Sequence, residues 1–286
     1  IYSRNPALCL ADFLRSEEGY LASNDQIDQN ALIVAANACD TAIYNPATVA
    51  ADRPNYGGSV ARYTCDGMFR SDQDRDSTRQ QLEDTMAGYS LESGGVWRIL
   101  AGAWTTPVLS LTDDDLLAPI TVVQTCNPGT ARYNGARGTY VNLTRNGVSE
   151  DFKQYQNAVF RENDQKDKFL DLVLPFTTAH ARTHQIARVL VEQSRGGFVL
   201  QVHPKMLAWH LQPGDRILLT SALYGFANKP FRVQDWTYSM SSPLSFQVIE
   251  DEEAFYDTAD EVLRDPSPNT NLPNPFLLPQ PPLDLT

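Results

Sequence analysis

His180 and His184 stand four residues apart in a stretch of helical periodicity, so both imidazoles share one helix face and are the chain's candidate metal ligands. The residues between them are Ala-Arg-Thr. The glutamate that acts as general base in a His-Glu-x-x-His metallohydrolase is therefore missing, and no third ligand follows from the spacing. The plainer reading is two polar residues on the outer side of a helix or at an interface, and no metal is assigned. Asp72, Asp74 and Asp76 resemble the start of a calcium loop but lack the glycine at the sixth position and the distal bidentate glutamate. They read as a helix cap, placed at Asp76, and a solvated face. Asp113, Asp114 and Asp115, and again residues 250–253, could supply the paired carboxylates of a glycosidase. Acids adjacent in sequence mostly diverge, and these are read as ionised in water. Gly-x-Ser-x-Gly, P-loop and Gly-x-Gly-x-x-Gly patterns do not occur, and Gly135-Ala-Arg-Gly138 fits a turn. The chain is read as a non-enzyme without a cofactor.

The histidines belong to the region that organises the chain. Residues 171–174 read as a strand ending at Pro175. Thr178 then opens a helix with Ala179, Thr183, Ile186, Ala187, Leu190 and Val191 on one face. Gly196 and Gly197 are expected to stop it through positive φ, and Phe198, Leu200 and Val202 resume with period two. Strands over 211–220, 229–238 and 243–249, each bounded by turn residues, point to a barrel or sandwich.

Upstream, Asn5-Pro6 is a helix entry with Asn5 as cap, and Leu10, Phe13 and Leu14 form the buried stripe. A second helix begins at Asp28, with Ile27 stapled on Leu32 and with Ala35, Ala36 and Cys39 continuing its apolar face. Residues 41–59 read as a loop, 62–69 as a strand, and 76–87 as a helix turning Leu82 and Met86 inward and closed by Gly88. Ser93-Gly94-Gly95 reads as the three-residue turn of a hairpin. A strand over 104–111 leads to a boundary at 115. Beyond it, 120–125 and 137–142 read as strands, Asn127-Pro-Gly129 as a turn, and 144–168 as a polar surface excursion. The fold class is α+β: residues 1–115 form a small α/β domain with a helical hairpin. Residues 116–265 form a β-barrel or sandwich carrying the long helix. Residues 266–286, with seven of the eighteen prolines and no Lys or Arg, form a linker or arm.

Composition narrows the function. The net charge is −12 and 42% of the residues are hydrophobic, enough for a real core and ill suited to gripping nucleic acid through phosphate neutralisation. No apolar run reaches the length of a membrane span. A start at Ile1 suggests a piece of a longer chain. Cys9, Cys39, Cys65 and Cys126 lack C-x-x-C spacing and read as buried free thiols of a reducing compartment. Trp97, Trp104, Trp209 and Trp236 are core residues by default, and an exposed subset would form a contact surface.

Asn5-Pro-Ala-Leu-Cys-Leu-Ala-Asp-Phe-Leu14, Ala35-Ala-Asn-Ala-Cys-Asp40 and Arg62-Tyr-Thr-Cys-Asp-Gly67 resemble, in order, the central hub or tip attachment proteins of long-tailed bacteriophages, the group that includes the lambda tail tip protein. Asn134-Gly-Ala-Arg-Gly-Thr-Tyr-Val141, Leu211-Gln-Pro-Gly-Asp215 and Phe231-Arg-Val233 are similar to the barrel region of the same family. The resemblance implies a non-enzymatic virion component: a homotrimer closing the distal end of the tail tube through tube-like barrels, assembled in the bacterial host cytoplasm. Its implied partners are distal tail, tape measure and tip proteins, DNA that passes without specific binding, and the host surface reached through downstream domains. The competing expectation is a carbohydrate-binding or glycoside-cleaving tail-tip domain.

Overall fold

The structure is a computed structural model and describes residues 3–44, 59–125, 131–143, 147–239 and 242–257. Helix α1 (Pro6–Arg15) is capped by the Asn5 carboxamide oxygen, which accepts from the N–H groups of Ala7 and Leu8. Asn5 Nδ2 donates to the Ala36 carbonyl at 2.9 Å, so the same side chain ties α1 to α2 (Gln29–Asp40). Asp28 caps α2, and Leu10, Phe13, Leu14, Leu32, Ala35 and Cys39 meet in the core as their spacing requires.

The ends of the expected loop over 41–59 pair as antiparallel strands β1 (Ala42–Tyr44) and β2 (Ser59–Ala61). Residues 62–69 are extended but join no ladder. Individual anchors replace one: Tyr63 is buried and donates its hydroxyl to the Gly102 carbonyl at 2.7 Å, and Cys65 N–H donates to the Arg4 carbonyl at 2.8 Å. Helix α3 (Arg75–Asp84) starts at Asp74, whose carboxylate accepts from Ser77 N–H, and not at Asp76, which pairs with Arg79. Strands β3 (Tyr89–Ser93) and β4 (Val96–Leu100) are joined by Gly94 and Gly95 alone, with φ of 61° and 79°. Two consecutive positive φ values are what a tight hairpin turn twisted like its strands demands, so Ser93 belongs to the strand.

The remaining elements are β5 (Leu109–Thr112), β6 (Leu116–Gln124), β7 (Gly135–Asn142), β8 (Val148–Asp151), β9 (Tyr155–Gln156), α4 (Ala158–Asp164) and β10 (Phe169–Leu174). They are followed by α5 (His180–Gln193), β11 (Val199–Pro204), β12 (Arg216–Ser221), β13 (Phe226–Ser239) and β14 (Ser242–Glu250). One curled six-stranded sheet runs β5-β12-β13-β14-β11-β6, parallel only between β5 and β12. A second runs β10-β7-β8, with β9 also on β7 and β10 parallel to β7. The polar stretch over 144–168 is therefore not a bare excursion. It holds β8, β9 and α4, of four, two and seven residues, each too short to display a period. The Asn127-Pro-Gly129 turn and residues 266–286 lie outside the described residues.

Among the described residues two hydrophobic cores form, and neither is a continuous segment. The first gathers Leu10 and Leu14 of α1, Leu32 of α2, Tyr63, Leu82 of α3, Ile99 of the β3–β4 hairpin, Leu174 of the second sheet and Ile186 of α5. The second gathers Leu111, Leu200, Ile217, Phe231, Phe246 and Val248 inside the curled sheet. The chain leaves the curled sheet after β6 and returns at β11. The single boundary expected at 115 therefore does not separate the cores: β5 lies before it in the barrel, and β7 to α5 lie after it in the first core. The long helix is likewise carried by the first core and not by the barrel, because its buried Ile186, Ala187, Val189 and Val191 pack there. It ends without glycine. Ser194 Oγ donates to the Val191 carbonyl, while Gly196 and Gly197 are absent from the positive-φ residues. The strand expected over 104–111 begins only at Leu109, and Trp104 turns instead onto Arg216.

Candidate functional site

The histidine pair comes together as helical spacing requires, with His184 in the interior and His180 half-buried. The two rings lie 4.9 Å apart, His180 edge-on to Tyr140, and His184 edge-on to Phe152 and Tyr155. His180 Nε2 accepts from Lys153 N–H at 3.1 Å. His184 is fully buried, which pushes its pKa below the ordinary 6.5 and keeps the imidazole neutral. The outward-facing position expected for it is thus corrected: the pair seats α5 on β7 and β9. Among the described residues no group of three His, Cys, Asp or Glu side chains is placed to share a metal ion.

The acidic clusters are tied into the fold. Asp115 accepts from both the N–H and the hydroxyl of Thr112, and Asp113 accepts from Ala222 N–H. Burial raises Glu250, but the Lys229 ammonium and the N–H groups of Gly197 and Phe198 outweigh it and hold the carboxyl below its usual range. Asp251 faces inward. Asp113 and Asp115 thus bind turn N–H groups, and Glu250 pairs with a cation.

The feature that sequence reasoning missed is the seam between the two cores. Arg216 on β12 is 5% exposed and Asp251, just past β14, is 2% exposed, and Arg216 Nε donates to Asp251 Oδ2 at 2.8 Å. The rest of the guanidinium donates to Thr105 Oγ1 and to the Ala103 carbonyl, and its Cζ lies 4.8 Å from the centre of the Trp104 ring and 4.9 Å from that of Tyr256. Tyr256 donates its hydroxyl to Asp251 at 2.8 Å. Arg216 and Asp251 belong to the barrel, while Trp104 and Tyr256 belong to the first core. A buried ion pair, with each of the three guanidinium nitrogens donating to a partner, thus joins the two. Beside it, Arg98 of β4 donates to Asp215 at 2.7 Å and to the Pro213 carbonyl at 2.8 Å. Gly214 between them has φ of +94°, and a Cβ there would stand 2.2 Å from Leu100 Cδ1.

A cavity of about 230 Å³ opens on this seam, lined by Asp28, Arg98, Asp215, Arg216, Arg232 and Tyr256 among others. Its two lining carboxylates both face Arg98, so they are neutralised and unsuited to acid–base work on a sugar. The other candidate surface is the edge of the curled sheet. Strands β5 and β6 end the strand order, each with one side unpaired among the described residues, and Leu117 and Val123 on β6 are exposed.

No family model matches this chain, and no curated protein matches it. Among solved structures it is similar to a chain of the virion of a native gene transfer agent particle, at 17% identity and a TM-score of 0.56, over 70% of this chain and 44% of that one. It thus spans less than half the length of that protein. A tail protein from Neisseria meningitidis MC58 aligns at 13% identity and a TM-score of 0.46, over 71% of this chain and 62% of that chain. The 43 kDa tail protein of prophage MuSo2 from Shewanella oneidensis aligns at 10% identity and a TM-score of 0.40, over 64% and 54%. The first of these likenesses shows a shared fold.

Proposed function

We propose that the chain is a structural component of a phage-type tail, placed at the tail tip as part of a hub. The observation that carries this reading is the shared fold with a virion chain. The open sheet adds physical sense to it. An edge strand with unpaired backbone groups and exposed Leu117 and Val123 is stable against association only when a neighbour covers it. In this reading three copies set their curled sheets side by side in a ring at the distal end of the tail tube. Distal tail, tape measure and tip proteins are the partners, and downstream domains reach the host cell surface. The net charge of −12 suits a conduit, because acidic walls offer DNA phosphates no counter-charge to bind.

Multi-angle light scattering across a concentration series tests the ring. The reading expects a mass of three chains, or a mass that climbs toward three as concentration rises. A strict monomer at every concentration would overturn a ring whose interface lies within these residues. The carbohydrate reading would need an aromatic row and two free carboxylates in one cleft. The seam cavity offers only carboxylates already facing arginine, so it gives the carbohydrate reading no acid–base pair.

A further inference from the structure

Cys9 and Cys65 meet where α1 lies beside the extended stretch over 62–69, and neither the cores nor the hub reading uses their chemistry. Both are half-buried, unlike Cys39, which is sealed in the first core. Two constraints bring their sulfurs together. A helical side chain leans toward the N-terminus of its helix, so Cys9 lies back over the start of α1 and its Sγ donates to the Ser3 carbonyl at 3.6 Å. From the other side, Cys65 N–H donates to the Arg4 carbonyl at 2.8 Å, while the Arg4 guanidinium holds the next residue, Asp66, through two bonds of 2.6 Å. Asp66 also accepts from Thr178 Oγ1 at 2.8 Å. The stretch is thus clamped beside residues 3 and 4, and the two thiols hydrogen-bond each other.

That contact divides the reactivity. Cys65 S–H donates to Cys9 Sγ and holds Cys9 below the ordinary thiol value of 9.0, while the same bond, with burial, keeps Cys65 protonated. Burial raises Cys39 to about 12 and leaves it inert. A thiol inclined to ionise, touching a protonated thiol, is a nucleophile with its resolving partner already in place.

We propose that Cys9 and Cys65 form a reversible intrachain disulfide by exchange with a low-molecular-weight disulfide, oxidised glutathione being the probe. The Cys9 thiolate attacks one sulfur of glutathione disulfide and expels the first glutathione thiolate. Cys65 then loses its proton, attacks Cys9 Sγ and expels the second. Two protein thiols and one glutathione disulfide become one protein disulfide and two glutathione thiols, which take up the protons that the cysteines lose. The bond fastens the stretch over 62–69, which joins no ladder, to α1, and it closes a loop that holds α2, β1 and β2. Closing that loop restricts the unfolded chain more than the folded one. Disulfides are reduced in the cytosol and persist on virion surfaces, so the lock is open during assembly and shut on a released particle. That timing rests on the tail reading, whereas closure of the purified chain does not, and the two fail separately.

The test is a thiol map of the full chain after equilibration with an excess of oxidised over reduced glutathione, free thiols being alkylated in denaturant before tryptic digestion. Arg4 and Arg15 bracket Cys9, and Arg62 and Arg70 bracket Cys65, so each falls in its own short peptide. The expected product is residues 5–15 linked to residues 63–70 and lighter than the two peptides by two hydrogens, with Cys39 alkylated. Cys65→Ser should stop the reaction at glutathione held on Cys9. The oxidised chain should melt roughly 5 °C above the reduced one, and Cys9→Ser or Cys65→Ser should abolish that difference. Cys9 and Cys65 both alkylated, or glutathione retained on Cys9 of the unsubstituted chain, would overturn the proposal. So would a bond from either of them to Cys39 or Cys126, or a pair that links two chains on a non-reducing gel.

Discussion

Removing the Asp251 carboxylate probes whether the two cores are held by the buried pair at their seam. Asp251→Ala leaves the Arg216 guanidinium 5% exposed with no counter-charge and leaves the Tyr256 hydroxyl without its acceptor. Breaking one partner of a buried pair costs about 3–5 kcal/mol. Arg216 keeps its bonds to Thr105 and Ala103 and its position between the Trp104 and Tyr256 rings, so the low end, about 3 kcal/mol, is expected. For a chain of this size that is a fall in Tm of roughly 5 °C. Asp251→Asn preserves shape and part of the hydrogen bonding and should cost about half as much. The double variant Arg216→Met, Asp251→Leu removes both charges and should recover most of the loss, since a well-packed apolar pair often replaces a buried ion pair without penalty. Urea denaturation of the wild type, the singles Arg216→Met and Asp251→Leu, and the double variant gives the coupling energy directly. A loss below about 1 kcal/mol in Asp251→Ala, or a double variant no better than the single, would refute the assignment of the seam to this pair.

Gly214→Ala places a methyl group against Leu100 at a backbone conformation that L residues avoid, and should cost about 1–3 kcal/mol in urea denaturation. Burial, with Glu83 beside it, raises the Asp84 carboxyl to about 6. Its folded pKa lies above the ordinary 3.8, so the stability it contributes is present at low pH and is lost as pH rises through 6. Asp84→Asn should therefore raise Tm by a few degrees at pH 7.5 and by much less at pH 4, and the helix C-terminus beside Asp84 works in the same direction. His184 has the opposite profile: its depressed pKa means the unfolded chain takes up the proton first, so stability should decline as pH falls below 6.5. His184→Gln should flatten that part of the pH curve, measured as Tm against pH.

The helical hairpin and the barrel strands were legible because each carries its own code. Asn5-Pro6 and Asp28 cap where caps are needed, and Phe198, Leu200 and Val202 alternate on a strand buried on one face. Asp76 was mistaken for the cap of α3 because Asp74 and Asp76 are chemically equivalent, and only the path of the backbone selects between them. The assignment of the long helix to the barrel failed for a topological reason. Proximity in sequence placed α5 with β11, whereas it packs on β7, β9 and β10 of the second sheet and on the Glu253–Tyr256 turn. The seam was invisible for the same cause: Arg216 and Asp251 are separated by 35 residues, and Thr105 lies 111 from Arg216. No spacing rule pairs such residues. Of the four tryptophans, the two upstream, Trp97 and Trp104, pack against the first core, and Trp209 stands half exposed. Sequence alone cannot order them, because burial is set by which sheet face each strand turns inward.

The central claim, that this chain is built into the tip of a tail, is tested most directly by immunogold electron microscopy. An antibody raised against the chain is applied to particles released by cells that encode it. The account predicts gold at one end of each tail, the end away from the head. Label on the head or along the tail shaft, or protein found only in the fraction free of particles, would contradict it.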